Sequence, residues 1–195
     1  MARVRSLALL AVVAMPAAVS ASHGPHRNLA ARPALISESV SIGTTLFIRG
    51  RTKTAGCTLG VTPDRACSPG AFDRTRPAPV LCSTKFHTGD VRSVSEAVKR
   101  QVEQEYGLAP KRYGRTLEID HIVSLELGGS NDIANLYPEL APGYHVKDVL
   151  ENRLHKLVCA GKMTLHSAQS HIAANWPALY TRVFGAPPVT TPTQP

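Results

Sequence analysis

The chain has 195 residues, 43% of them hydrophobic and 18% charged, with four cysteines and a formal net charge of +8. That length suits one domain with an ordinary core, and the absence of any internal repeat excludes an array. A Gly-rich phosphate cradle and a nucleophile elbow are both missing, and the positive balance suits a polyanion such as nucleic acid or an acidic envelope polymer.

Residues 1–21 carry Arg3 and Arg5, an apolar run from Leu7 to about Val19, and then Ser20 and Ala21. This is the anatomy of a secretory signal, too short to span a bilayer. Cleavage releases a secreted or periplasmic chain of about 174 residues with no membrane span and a charge of +6, since Arg3 and Arg5 leave with the signal. Residues 22–56 read as a basic linker with one strand from Thr44 to Ile48.

Cys57, Cys67, Cys82 and Cys159 are even in number in a chain that reads as exported, which favours two disulfides. No two lie at the two-to-four-residue spacing of zinc modules. One bridge is expected to tie Cys159 back to the loop region, with the pairing itself open. Residues 57–92 are rich in Pro, Gly, Ser and Thr and read as irregular, with His87 as a surface loop histidine.

A helix opens at Ser93, where Ser93 and Glu96 form a capping box. Val94, Ala97, Val98, Val102 and Tyr106 mark its apolar stripe, and Gly107 ends it. Lys99, Arg100, Glu103 and Glu105 are assigned to the solvated face. Lys111, Arg112 and Arg115 follow as a basic cluster able to grip phosphates, and Lys147 extends that character further along the chain.

Residues 117–137, LEIDHIVSLELGGSNDIANLY, are the most informative stretch. Leu117, Ile119 and Val123 alternate as a strand, Gly128 and Gly129 permit a turn, and Ile133 to Tyr137 reads as a returning strand. Val146, Val149, Leu150, Leu154, Leu157 and Val158 then recur at helical spacing from about Tyr144, and Gly161 stops the helix. A neutral imidazole at His121 suits a general base, Asp120 suits a hard divalent ion, and the Asn135 amide suits a supporting role. Strict alternation would send Asp120 and His121 to opposite faces, so convergence on one phosphate needs a strand end or bulge.

The Asp-His pair, the Gly-Gly turn, Asn135-Leu136 and the following helix resemble the HNH, or His-Me finger, nucleases, in a secreted bacterial-type form. The resemblance covers about residues 115–160. It implies an α+β fold, mostly helical, in which a single domain over residues 57–184 contains a ββα-metal unit stapled by disulfides. It further implies a metal-dependent endonuclease acting on DNA, with RNA left open, and leaving 5′ phosphate ends. Within that resemblance His121 is the base, and Asn135 fixes the loop and orients the base. Asp120 shares a metal with one helix residue, His145 or Asn152. Mg²⁺ or Mn²⁺ suits these donors, and Zn²⁺ or Ni²⁺ is also admitted. Sequence specificity is expected to be low. The competing reading is a non-catalytic polyanion-binding protein on the same scaffold.

Thr164 caps a last helix that buries Ala168, Ile172 and Trp176 and is interrupted by Pro177, with His166 and His171 on the surface. Residues 185–195 read as a disordered Pro/Thr tail.

Overall fold

In the computed structural model, residues 41–190 are described. Contacts divide the chain into residues 1–35 and 36–195, and the first unit lies outside the described residues. So do the expected signal, most of the expected linker and the last five residues of the expected tail.

Among the described residues two small antiparallel sheets and five helices make a mixed α+β body in which helix outweighs strand. Strands β1 (Ser41–Ile42), β2 (Thr45–Phe47) and β3 (Ala71–Asp73) pair in that order. Strands β4 (Leu117–His121) and β5 (Leu136–Leu140) pair in the register Leu117 to Leu140 through His121 to Leu136. The helices are α1 (Ala78–Leu81), α2 (Thr88–Val91), α3 (Glu96–Glu105), α4 (Gly143–Cys159) and α5 (Leu165–Phe184).

The expected strand near Thr44 to Ile48 is β2, but its segment is no free linker. β2 pairs with β3, and Arg51 donates to the Cys67 carbonyl at 2.6 Å and pairs with buried Glu105. Helix α3 begins two residues later than the capping box predicts. Ser95 is the N-cap and accepts from the Val98 amide, while the Ser93 N–H is spent on Asn131. Glu103 and Glu105, assigned to the solvated face, are buried at 1% and 4% exposure. Their partners explain this: Tyr113 donates to Glu103 at 2.6 Å, and Arg51 and Gln101 meet Glu105.

The connection from β4 to β5 is no tight hairpin. It runs through two 3₁₀ turns, Leu125–Leu127 and Ile133–Asn135, so the returning strand starts at Leu136. β3 lies along this connection: Ala71, Gly70 and Asp73 bond to Ser130, Ala134 and Gly128. Gly129 is required here because a Cβ would sit 1.8 Å from the Val123 carbonyl oxygen.

Leu150, Leu154 and Val158 of α4 pack with Ile172, Trp176 and Leu179 of α5 in one core. Thr164 caps α5 as its sequence suggests, and the kink falls at Asn175, just ahead of Pro177. Trp176 is a core residue at 1% exposure whose indole donates to the Val61 carbonyl. Among the described residues no helix is long and apolar enough to cross a membrane.

The two disulfides are Cys57–Cys67 and Cys82–Cys159. The second ties the end of α4 back to the loop region, as the sequence suggests, and both suit an oxidising compartment. Cys82, His155 and Cys159 bring ligand atoms within 4.8 Å of one another and could hold a metal ion, but the two sulfurs are bonded to each other.

The bridges close segments of 77 and 10 residues. Replacing Cys82 and Cys159 by Ser should therefore cost about 4 kcal/mol, and replacing Cys57 and Cys67 about 3 kcal/mol. Denaturant titration of the two double variants measures this, and a larger loss from the shorter loop contradicts it.

Candidate functional site

His121 ends β4 at 2% exposure, and the chain on either side fixes it. Its neighbour Ile122 donates to the Asn135 carbonyl. The fully buried Asn135 amide makes four hydrogen bonds: Oδ1 accepts from Ala71 and Val123, and Nδ2 donates to the Val123 and Ser130 carbonyls. One side chain thus joins β3 to both ends of the β4–β5 connection. It holds the loop but makes no hydrogen bond to the imidazole. That contact belongs to Asn131, whose Oδ1 lies 3.1 Å from His121 Nε2.

Burial lowers the His121 pKa to about 4, against the opposing pull of Asp120 and Asn131, so the ring is neutral at pH 7. His121 lines a cleft of about 410 Å³ with Glu118, Arg92, Lys99, Tyr113 and Gly114. Arg92 follows α2 directly, and its charge is felt by His121, Glu118 and Asp148.

Asp120 is engaged by helix α4. Its Oδ2 accepts from Lys147 Nζ at 2.6 Å. The Lys147 ammonium also donates to the His121 carbonyl at 2.7 Å and to Glu151 at 2.6 Å, and lies 3.5 Å from Glu139. Lys147 was expected on the phosphate-binding surface; it is instead 1% exposed and neutralises carboxylates. A charge at that depth must be matched by opposite charge and hydrogen bonds, and three acids and a carbonyl supply them.

Burial works against the Asp120 charge, but Lys147 outweighs it and holds the carboxyl below its ordinary value. Burial likewise opposes the Lys147 charge, yet Asp120, Glu151 and Glu139 hold its pKa well above the usual lysine value. Glu139 and Glu151 pay for crowding instead: burial raises Glu139 to about 8 and Glu151 well above the carboxylate range.

The other sequence candidates are scattered. His145 is exposed and leans on the Tyr144 ring with centroids 4.2 Å apart. Asn152 is exposed and donates to the Asp148 carbonyl of its own helix. Lys111 pairs with Glu96 at 2.6 Å, and Arg112 and Arg115 are exposed beside Tyr113 and Gly114 without lining the cleft themselves.

Glu118, absent from the expected set, and Asp148, which α4 offers beside His145 and Asn152, lie in the field of Asp120. Glu118 and Asp148 are exposed side chains whose carboxyls are raised, first by the protein around them and next by Asp120. His145 also acts on Asp148. Glu118 lies two positions before Asp120 on β4, and Asp148 one turn after His145 on α4. That periodicity was the available signal for them. Arg92 and Asn131 carried none beyond their turn-rich surroundings.

This corner is rich in carboxylates, but among the described residues no three of Asp120, Glu118, His145 and Asp148 bring their ligand atoms within 4.8 Å of one another as Cys82, His155 and Cys159 do, so it is an acidic patch and not a formed metal site.

Removing the buried ammonium should be costly: Lys147→Met is expected to lose about 3–5 kcal/mol, because it strands Asp120. Chemical unfolding measures it, and a loss below 1 kcal/mol contradicts the ion-pair account. Glu139 gives a pH signature. The folded protein keeps its proton up to about pH 8, whereas the unfolded chain releases it in the ordinary carboxylate range. Native protein binds more protons between those limits, so this contribution to stability falls as pH rises through them. Glu139→Gln keeps the neutral shape and should melt progressively higher relative to the parent from about pH 5 to about pH 8. A constant offset contradicts the assignment.

Compared with protein-family models, curated proteins and solved structures, the chain matches none.

Proposed function

We propose that the chain is a metal-dependent endonuclease of the HNH kind, hydrolysing phosphodiester bonds of DNA, with RNA left open, at low sequence specificity. The observation that carries the reading is a buried, neutral His121 lining a cleft with Arg92, while its neighbour Asp120 belongs to an acidic corner formed with α4.

In this reading a phosphodiester enters the cleft with its non-bridging oxygens toward Arg92 and toward Lys99, which lines the cleft and would exchange its pairing with Glu96 for the phosphate. These two cations replace Lys111, Arg112, Arg115 and Lys147 as the expected phosphate contacts. His121 takes the proton of an attacking water as its oxygen bonds to phosphorus and the bond to the 3′ oxygen breaks. Asp120, with Glu118 and Asp148 closing on it, would hold a divalent ion, which would supply positive charge to the phosphoryl oxygens and the leaving group. The products carry 5′ phosphates, as in the nucleases that the motif resembles. Asn135 supports the catalytic loop and does not touch substrate.

One observation favours a second reading, a non-catalytic polyanion binder. Lys147 already occupies Asp120 Oδ2, which is the charge partner that a metal would need.

Plasmid incubated with the protein and Mg²⁺ or Mn²⁺, with and without chelator, separates the two. The nuclease reading predicts chelator-sensitive nicking that falls about 10²- to 10⁴-fold in His121→Ala and about 10- to 100-fold in Arg92→Ala. Retardation of plasmid in a gel without cleavage, equal in parent and His121→Ala, sinks it in favour of the binder.

A further inference from the structure

Asn131 lies in the connection between β4 and β5, and its amide has separate main-chain partners at its two ends. Nδ2 donates to the Val91 carbonyl at 2.8 Å, and Oδ1 accepts from the Ser93 N–H at 3.2 Å. Those bonds allow only one orientation of the amide. Reversing it would set Nδ2 against an N–H and Oδ1 against a carbonyl, losing both.

The fixed oxygen also faces His121 Nε2 at 3.1 Å. An amide oxygen only accepts, so Nε2 must carry a hydrogen and donate it. In a neutral ring the lone pair then resides on the other nitrogen. That nitrogen, Nδ1, is buried and has no hydrogen-bond partner. A buried ring nitrogen without a partner loses solvation for no return within the fold, which is the mark of an atom kept for another reactant.

We infer that Asn131 is a positioning residue that holds His121 in the Nε2–H tautomer and thereby selects Nδ1 as the nitrogen that accepts the proton of water. The choice of base rests on the nuclease reading; the tautomer does not. The base-orienting role expected of Asn135 thus passes to Asn131. The same amide couples the imidazole to the Val91–Ser93 segment that carries Arg92, so one side chain sets both the base and the strap bearing the phosphate cation.

The test combines spectroscopy with kinetics. Long-range ¹H–¹⁵N correlation spectra of the full chain, with His121 assigned through His121→Gln, report which ring nitrogen is protonated. Wild type should give the Nε2–H pattern. Asn131→Ala should lose it, and Asn131→Asp, which keeps an accepting oxygen, should retain it. In plasmid cleavage Asn131→Ala should lower kcat by about 10²-fold, within the range that a positioned base contributes, with any rise in KM reporting release of the Arg92 strap, and Asn131→Asp should recover part of the kcat. Melting curves confirm that both variants fold.

An Nδ1–H pattern in wild type overturns the inference, as does an unchanged pattern and unchanged kcat in Asn131→Ala. Loss of the pattern in Asn131→Ala, with no cleavage by any form, supports the positioning role and removes the nuclease reading alone.

Discussion

The ammonium of Lys147 is the contact on which the rest of the structure depends. It is removed from water, and it reaches Asp120 on β4, the carbonyl of His121, and Glu151 on its own helix. Coulomb attraction at 2.6 Å in a low-dielectric interior is strong, but so is the cost of dehydration, and only a full set of partners makes such a group tolerable. The result is a fixed register between α4 and β4. It also decides where the Asp120 carboxylate points, and so places the acidic corner beside the histidine cleft, with Glu118 common to both.

A second constraint acts through neutral hydrogen bonds. The four bonds of Asn135 replace the pairing that a fourteen-residue connection cannot make with itself, and Gly129 lets two stretches of main chain approach more closely than any other residue allows. β3 docks on that connection, which brings the N-terminal sheet into the same body as the site. The charged cluster sets the helix against the strand, and the amide sets the loop; His121 lies where the two meet.

Much of this was legible in the sequence because it rests on local periodicity. The alternation in β4, the helical spacing in α4, the Thr164 cap, the kink near Pro177 and the bridge from Cys159 to the loop region all follow from neighbouring residues. What the sequence hid were long-range pairings. Lys147 is read as a surface cation from its type alone, although with Glu151 it lies on the stripe of Leu150, Leu154 and Val158. That i, i+4 pair on an apolar face was the signal. Glu105 is buried because Arg51, 54 positions earlier, reaches it, and no local pattern announces that. Asn131 becomes informative only once Val91 and Ser93 are seen beside it.

The central claim is that His121, Arg92 and the acidic corner at Asp120 serve a single phosphodiester. A crystal structure of His121→Ala with a short DNA duplex and Mn²⁺, using anomalous scattering to locate the ion, tests it most directly. The account predicts a phosphate against Arg92 in the cleft and Mn²⁺ within about 2.2 Å of an Asp120 carboxylate oxygen. Duplex bound on another face, with Asp120 held by Lys147 alone and no ion near it, would contradict it.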